Sequence, residues 1–129
     1  MTNSLPTDFL IRIKNGSLSG RKTIDAPVSK LTVAMAELLK KYGYIADFKV
    51  EGEVKKNMTI NLAYVGIAPV LSEVRIFSKP GRRFYEKSSS IPWGKTPKSL
   101  IIISTSAGVM SQKEAVAKKL GGEVIAEVY

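Results

Sequence analysis

The sequence predicts a mixed α/β (α+β) protein of two small, tightly associated modules. Residues 1–66 are expected to place helices on a short sheet with a β-hairpin, and residues 67–129 to form a β-rich module with one principal helix. Three observations carry this prediction. Helical spacing with matching end signals recurs along the chain, period-2 or continuous apolar runs lie between the helices, and composition shifts between Gly66 and Pro69. At 129 residues, two fully separate halves would each bury little surface, so an extensive shared contact is expected.

In the first module Ser4 is placed to cap a helix whose Leu5, Phe9 and Ile13 recur every fourth position, with Pro6 tolerated in its first turn. Asn15-Gly16 is expected to end it, and Arg12 and Lys14 lie off its apolar stripe. A short strand over Arg21–Ala26 stops before Pro27. The next helix is capped by Ser29, offers Leu31, Met35, Leu38, Leu39 and Tyr42 for packing, carries Lys40 and Lys41 near its carbonyl end, and closes at Gly43. Ala46, Phe48 and Val50 then alternate with Asp47, Lys49 and Glu51. Met58, Ile60, Leu62 and Tyr64 form the partner strand of a hairpin through Gly52–Asn57. Lys55 and Lys56 at its tip suit either phosphate or solvent.

The second module opens with a strand expected over Val70–Phe77 and a turn at Ser78-Lys79-Pro80-Gly81. Arg82–Tyr85 is read as the strand leaving that turn, and Glu86–Ser99 as mostly loop. Leu100-Ile101-Ile102-Ile103 is apolar on both faces and reads as a buried strand. Ser104–Gly108 is read as a turn from that strand to a helix. Ser111 and Glu114 match a capping box for the helix, Gly121-Gly122 is expected to stop it, and a last strand covers Glu123–Tyr129.

Twenty Lys and Arg face eleven Asp and Glu, a formal net charge of +9. Solubility alone does not require that excess, and a polyanionic partner explains it, since phosphate neutralisation supplies much of nucleic-acid affinity. With no Cys and no His, disulfides, thiol nucleophiles, common zinc sets and the usual neutral-pH base are excluded. No phosphate-binding glycine loop, dinucleotide fingerprint or G-x-S-x-G elbow occurs. We therefore expect no catalytic residues, no metal ligands and no cofactor. The N-terminal run, broken by Asp8 and Arg12, does not resemble a cleaved leader, and no apolar run is long enough to span a bilayer; the cysteine-free sequence is compatible with the cytoplasmic location expected for it.

The densest basic stretch runs from Arg75 to Lys98 and includes Lys79, Arg82, Arg83, Lys87, Lys95 and Lys98, interleaved with Phe84, Tyr85 and Trp93. Cations hold a nucleic-acid backbone while exposed rings stack on bases or riboses. Phe84 suits the core, whereas Tyr85, with its hydroxyl, is the better contact. The hydroxyls of Ser104, Thr105 and Ser106 can donate to phosphate and accept from a ribose 2′-OH, although such turns are often purely structural. Glu123 has two readings, as an acceptor for a base or ribose and as an intrachain partner for a cation.

Taken in order, several runs resemble bacterial-type small-subunit ribosomal protein S8. They are Asp8-Phe9-Leu10-Ile11-Arg12-Ile13-Lys14-Asn15, Pro27-Val28-Ser29-Lys30, Gly43-Tyr44-Ile45, Ser78-Lys79-Pro80-Gly81-Arg82-Arg83-Phe84-Tyr85, Ser104-Thr105-Ser106-Ala107-Gly108-Val109-Met110 and Gly121-Gly122-Glu123. The chain departs from the pattern at Leu31-Thr32, where Leu-Lys is common, at Pro97-Lys98-Ser99-Leu100, where a glycine-rich stretch is usual, and at Tyr129, where Trp is frequent. The resemblance implies a non-enzymatic ribosomal component that binds the central domain of small-subunit ribosomal RNA early in assembly, beside neighbouring small-subunit proteins and without a small-molecule substrate. It also implies repression of its own operon through a similar mRNA structure. It assigns RNA contact to Ser104, Thr105, Ser106, Tyr85 and Glu123; the basic positions Lys79, Arg82, Arg83 and Lys30 within the matched runs, and Lys55 at the hairpin tip, join them as candidates.

Overall fold

Helix α1 (Leu5–Leu18) buries Phe9, Leu10 and Ile13, as its fourfold apolar spacing requires, in a computed structural model that describes residues 5–52, 56–79, 81–91 and 99–129. The expected stop at Asn15-Gly16 is corrected, because the helix continues to Leu18. Gly16 is a packing residue: a Cβ there would lie 2.5 Å from Ile24 Cγ2 on the neighbouring strand. The turn is made instead near Gly20, at φ +72°.

Strand β1 (Thr23–Pro27) leads to α2 (Lys30–Lys41). The cap of α2 is reciprocal. Thr32 N donates to Ser29 Oγ at 3.0 Å, and Ser29 N donates to Thr32 Oγ1 at 2.9 Å, so the departure at Thr32 supplies half of a capping box. Met35, Leu38 and Leu39 are buried, and Gly43 at φ +79° turns the chain into β2 (Ile45–Glu51). Strand β3 (Asn57–Leu62) buries Met58, Ile60 and Leu62 and lies between β1 and β2, antiparallel to both. A register shift between Ile45 and Asp47 puts Phe48 and Val50 opposite Ile60 and Met58.

A short hairpin, β4 (Tyr64–Val65) and β5 (Ala68–Pro69), precedes the second sheet. There the expected long strand over 70–77 is reduced to β6 (Val74–Ile76), with Leu71 buried outside it. Strands β7 (Tyr85–Glu86), β8 (Leu100–Thr105), β9 (Gly108–Ser111) and β10 (Gly122–Val128) complete the sheet, and α3 (Gln112–Ala117) lies between the last two. One edge of β10 pairs with β8, the other with β7 and then β6, and β9 lies outside β8.

Two further expectations change here. Ser104–Gly108 is a hairpin between β8 and β9 and not a strand-to-helix turn, because Thr105 pairs with Gly108. Helix α3 ends before the glycine pair, with Lys119 holding the left-handed conformation at φ 56°. Strand β8 is buried on both faces, which accounts for its continuous apolar run. Leu100 and Ile102 enter a core containing Phe9, Met35 and Ile60, while Ile101 and Ile103 pack with Met110 and Ala115. The first of these cores therefore mixes side chains from both sides of residue 66. None of the described helices is long and apolar enough to cross a membrane.

Polar groups also join the two halves. Lys14 Nζ lies 2.7 Å from a Glu73 carboxylate oxygen. At the end of α2, Lys41 Nζ and Tyr42 OH each donate to Glu114 Oε1 at 3.1 Å. Ser111 caps α3, accepting from Glu114 N at 3.2 Å, while the Glu114 side chain turns to α2, so the expected capping box is only half formed. Burial acts to raise the Glu114 pKa, but hydrogen bonds from Lys41 and Tyr42, the Lys41 charge and the Ser111 hydroxyl together hold it below its ordinary value of 4.5. A carboxyl with a depressed folded-state pKa contributes stability above its unfolded pKa, and that contribution is lost as pH falls through the folded value. Glu114→Gln is therefore expected to cost about 1 kcal/mol at pH 7, a solvent-screened contribution. Its gap from wild type should close as pH falls below 4.5. Urea midpoints of both proteins at neutral and acidic pH check this, and a gap unchanged with pH contradicts it.

Candidate nucleic-acid interface

Three separate strands bring Tyr85, Glu123 and Ser104 side by side. Glu123 on β10 is paired with Ser104 on β8 and with Tyr85 on β7, and Ser104 is paired in turn with Val109 on β9. Directly opposed residues project from the same face of a sheet, so these side chains form one row. By alternation the row continues the face of Ile102 and Leu100, just beyond the margin of the larger core. Tyr85 is 66% exposed, whereas Phe84 packs against the smaller core with its ring 5.7 Å from Phe77, as their alternation requires.

The glycine pair makes the row possible. A Cβ on Gly122 would lie 2.1 Å from Ser104 O, and one on Gly121 would lie 2.6 Å from Glu86 O. The chain therefore enters β10 pressed between β8 on one side and β7 with its following turn on the other. A register shift between Val124 and Ala126 frees the next carbonyls for a second anchorage. Phe77 N and Ser78 N donate to Ile125 O, and the buried Ser78 hydroxyl donates to Val124 O at 2.8 Å while accepting from Phe84 N at 2.9 Å. Ser78 is thus the fastening of the basic turn. Lys79 and Arg82 close that turn by exchanging backbone hydrogen bonds, which leaves both side chains exposed.

The three hydroxyls of the β8–β9 hairpin divide by role. Thr105 Oγ1 donates to Gly108 O at 2.9 Å and accepts from Ala107 N at 3.1 Å, bracing the Ser106-Ala107 loop. Ser104 and Ser106 make no side-chain hydrogen bond among the described residues, and Ser106 is exposed at the tip. Glu123 keeps both of its readings: its Oε2 accepts from Arg83 Nη1 at 3.3 Å, while its position in the row leaves it beside Tyr85 and Ser104.

The basic stretch does not act as a unit. Arg75 is drawn away, with a guanidinium nitrogen 3.8 Å from Glu127 and the group 4.8 Å from the Phe77 ring centroid. Lys79 and Arg82 have no acidic partner among the described residues, and neither do Lys87, Lys118 and Lys119. Lys87 and Lys119 line an open concavity with Tyr85, Glu86, Gly121 and Gly122. Lys119 escaped the sequence reading, because Lys118-Lys119 looks like the solvated end of a helix and only the β7–β10 pairing carries it to Tyr85. Lys30 opens α2 and shares a shallow groove with Lys56, Val33 and Glu37, away from the row. Lys55, Trp93, Lys95 and Lys98 lie outside the described residues.

Chemically, the row offers two hydroxyls with no partner among the described residues, an exposed phenol ring and a carboxylate, bordered by cations that no described acid neutralises. That set can accept ribose and base donors, stack one base and hold several phosphates. The chain matches the profile of the family described as Ribosomal protein S8 over residues 6–129. It is 43% identical over 122 residues to small ribosomal subunit protein uS8 of Spiroplasma kunkelii, covering 95% of each chain. The similarity to the uS8 protein of Mesoplasma florum is 42% over 129 residues, all of both chains, and that to the Vibrio cholerae protein is 43% over 122 residues, covering 95% of this chain and 94% of the other.

Proposed function

Because the chain belongs to the ribosomal protein S8 family, and so to the small ribosomal subunit, we propose that it binds small-subunit ribosomal RNA directly through the face built on β7, β8 and β10. The observation that carries the reading is the row Tyr85–Glu123–Ser104, with Ser106 at its open end and, around it, cations without acid partners among the described residues. Residues 67–129 act as the RNA-binding module, and the first module supports them through the shared core. The RNA target is the central domain of the small-subunit RNA, and binding there supports folding of that domain during assembly. Lys79, Arg82, Lys87 and Lys119 hold phosphates, Tyr85 stacks, and Ser104 and Ser106 bond to the backbone or a 2′-OH. Glu123 accepts from the RNA while Arg83 keeps its carboxylate oriented. Lys30 of the first module makes a separate, peripheral phosphate contact, and Lys55, outside the described residues, joins it as a phosphate contact. The protein has no catalytic role in this reading. An operon mRNA that presents the same RNA shape would compete for this face, which makes translational repression its natural secondary role.

The division of hydroxyls sharpens the test. Replacing Ser104 and Ser106 together by alanine is expected to weaken RNA binding by about 1.5–3 kcal/mol for each charge-assisted bond lost. Folding should be retained, since neither hydroxyl has a partner within the described chain. Footprinting on a transcript of small-subunit ribosomal RNA, with a parallel urea titration, measures both quantities. A folded double variant that protects the RNA at wild-type concentrations would remove this face from consideration.

A further inference from the structure

We propose that Tyr42 is a positioning residue for the RNA-contacting hairpin, so that the first module sets the orientation of Ser104 and Ser106. The inference rests on the RNA-binding reading above. Tyr42 is offered for packing by its spacing, but the residue is 40% exposed at the carboxyl end of α2. Its hydroxyl lies 2.9 Å from Ser111 Oγ and donates to Glu114 Oε1 at 3.1 Å.

Ser111 has three roles in one residue. It is the last residue of β9, it pairs across to Ile102 on β8, and it caps α3. Strand β9 is an edge strand, hydrogen-bonded to β8 on one side, with Val109 packed against the larger core and Met110 in the smaller. Its tip end is braced by the Thr105 hydroxyl, and its base is held from outside the sheet by Tyr42. Without that hold, the hairpin keeps its turn and its core contacts through Val109 and Met110, but its base is less firmly tied, and a loosened row presents Ser104 and Ser106 in more orientations. Ordering them again on binding costs affinity.

Removing only the hydroxyl leaves the cap intact, because Ser111 Oγ still accepts from Glu114 N at 3.2 Å. Tyr42→Phe should therefore fold as the wild type does. Its affinity for an in-vitro transcript of small-subunit ribosomal RNA is expected to fall by about two- to tenfold, the range of one hydrogen bond. Amide exchange should accelerate over residues 104–111 in the free protein, with β3 and β10 unchanged. Full affinity in Tyr42→Phe overturns the proposal. So does weakened binding with unchanged exchange in the hairpin, which would make Tyr42 an RNA contact in its own right. If the wild-type protein fails to bind the transcript, the RNA reading itself has failed and this inference goes with it.

Discussion

Replacing Gly122 by alanine is expected to produce the largest loss of any single substitution considered, in both stability and RNA affinity. Gly122 has no positive φ, so its backbone conformation is open to alanine and the penalty is steric. The new Cβ would stand 2.1 Å from Ser104 O, 3.0 Å from Ser104 C and 3.1 Å from Thr105 Cα. All three are backbone atoms of a paired strand, which no side-chain rotation can move aside. Strands β8 and β10 must separate at the register that aligns Ser104 with Glu123. Overpacking of this kind costs about 1–3 kcal/mol. The binding loss should exceed that of the hydroxyl variants, because the whole row is displaced. Gly81→Ala is the control: among the described residues nothing lies within 4 Å of a Cβ there, so stability should change by less than about 0.5 kcal/mol. Urea titration and RNA binding of the two variants decide the matter, and a Gly122→Ala protein as stable and as tight-binding as wild type would refute the close approach.

Neutralising the cations that have no acid partner among the described residues should have the second large effect, this time on binding alone. Lys79, Arg82, Lys87 and Lys119 are exposed, so changing all four to glutamine should leave folding intact. Each phosphate contact removed also removes a released counterion. The slope of log affinity against log salt should therefore flatten by roughly 0.7–0.9 for every contact, and affinity near 0.1 M salt should drop by at least about tenfold. Lys49 is the contrasting position, because Glu51 already holds its ammonium at 2.8 Å, and Lys49→Gln should leave the slope unchanged. Salt titrations on the same transcript read these slopes, and they also separate Lys30 from the main face. An undiminished slope in the fourfold variant would mean that these residues do not meet phosphate.

The elements that were legible in the chain are those whose cause is local. Helix α2 is written in a cap at Ser29, apolar spacing from Met35 to Leu39 and a glycine at position 43, all within a few turns of one another. The doubly buried strand from Leu100 to Ile103 follows from a run with no polar face. Glycine is where local reasoning went astray. Gly16 and the Gly121-Gly122 pair carry the composition of helix stops, yet each serves the close approach of a strand packed against it, β1 for Gly16 and the distant β7 and β8 for the pair, which their local sequence does not announce.

The same division holds for the candidate site. The residue types, their order and the surplus of cations were all present in the sequence, and with the family motifs they pointed to an RNA partner. Which hydroxyl is spent bracing a turn, which cation is captured by a buried glutamate, and that Lys119 borders Tyr85 were decided by pairings between strands far apart in the chain. Local sequence sets which way a side chain alternates along its own strand. Only the register between strands, set here by two glycines and a shift beside Val124, decides which side chains stand together.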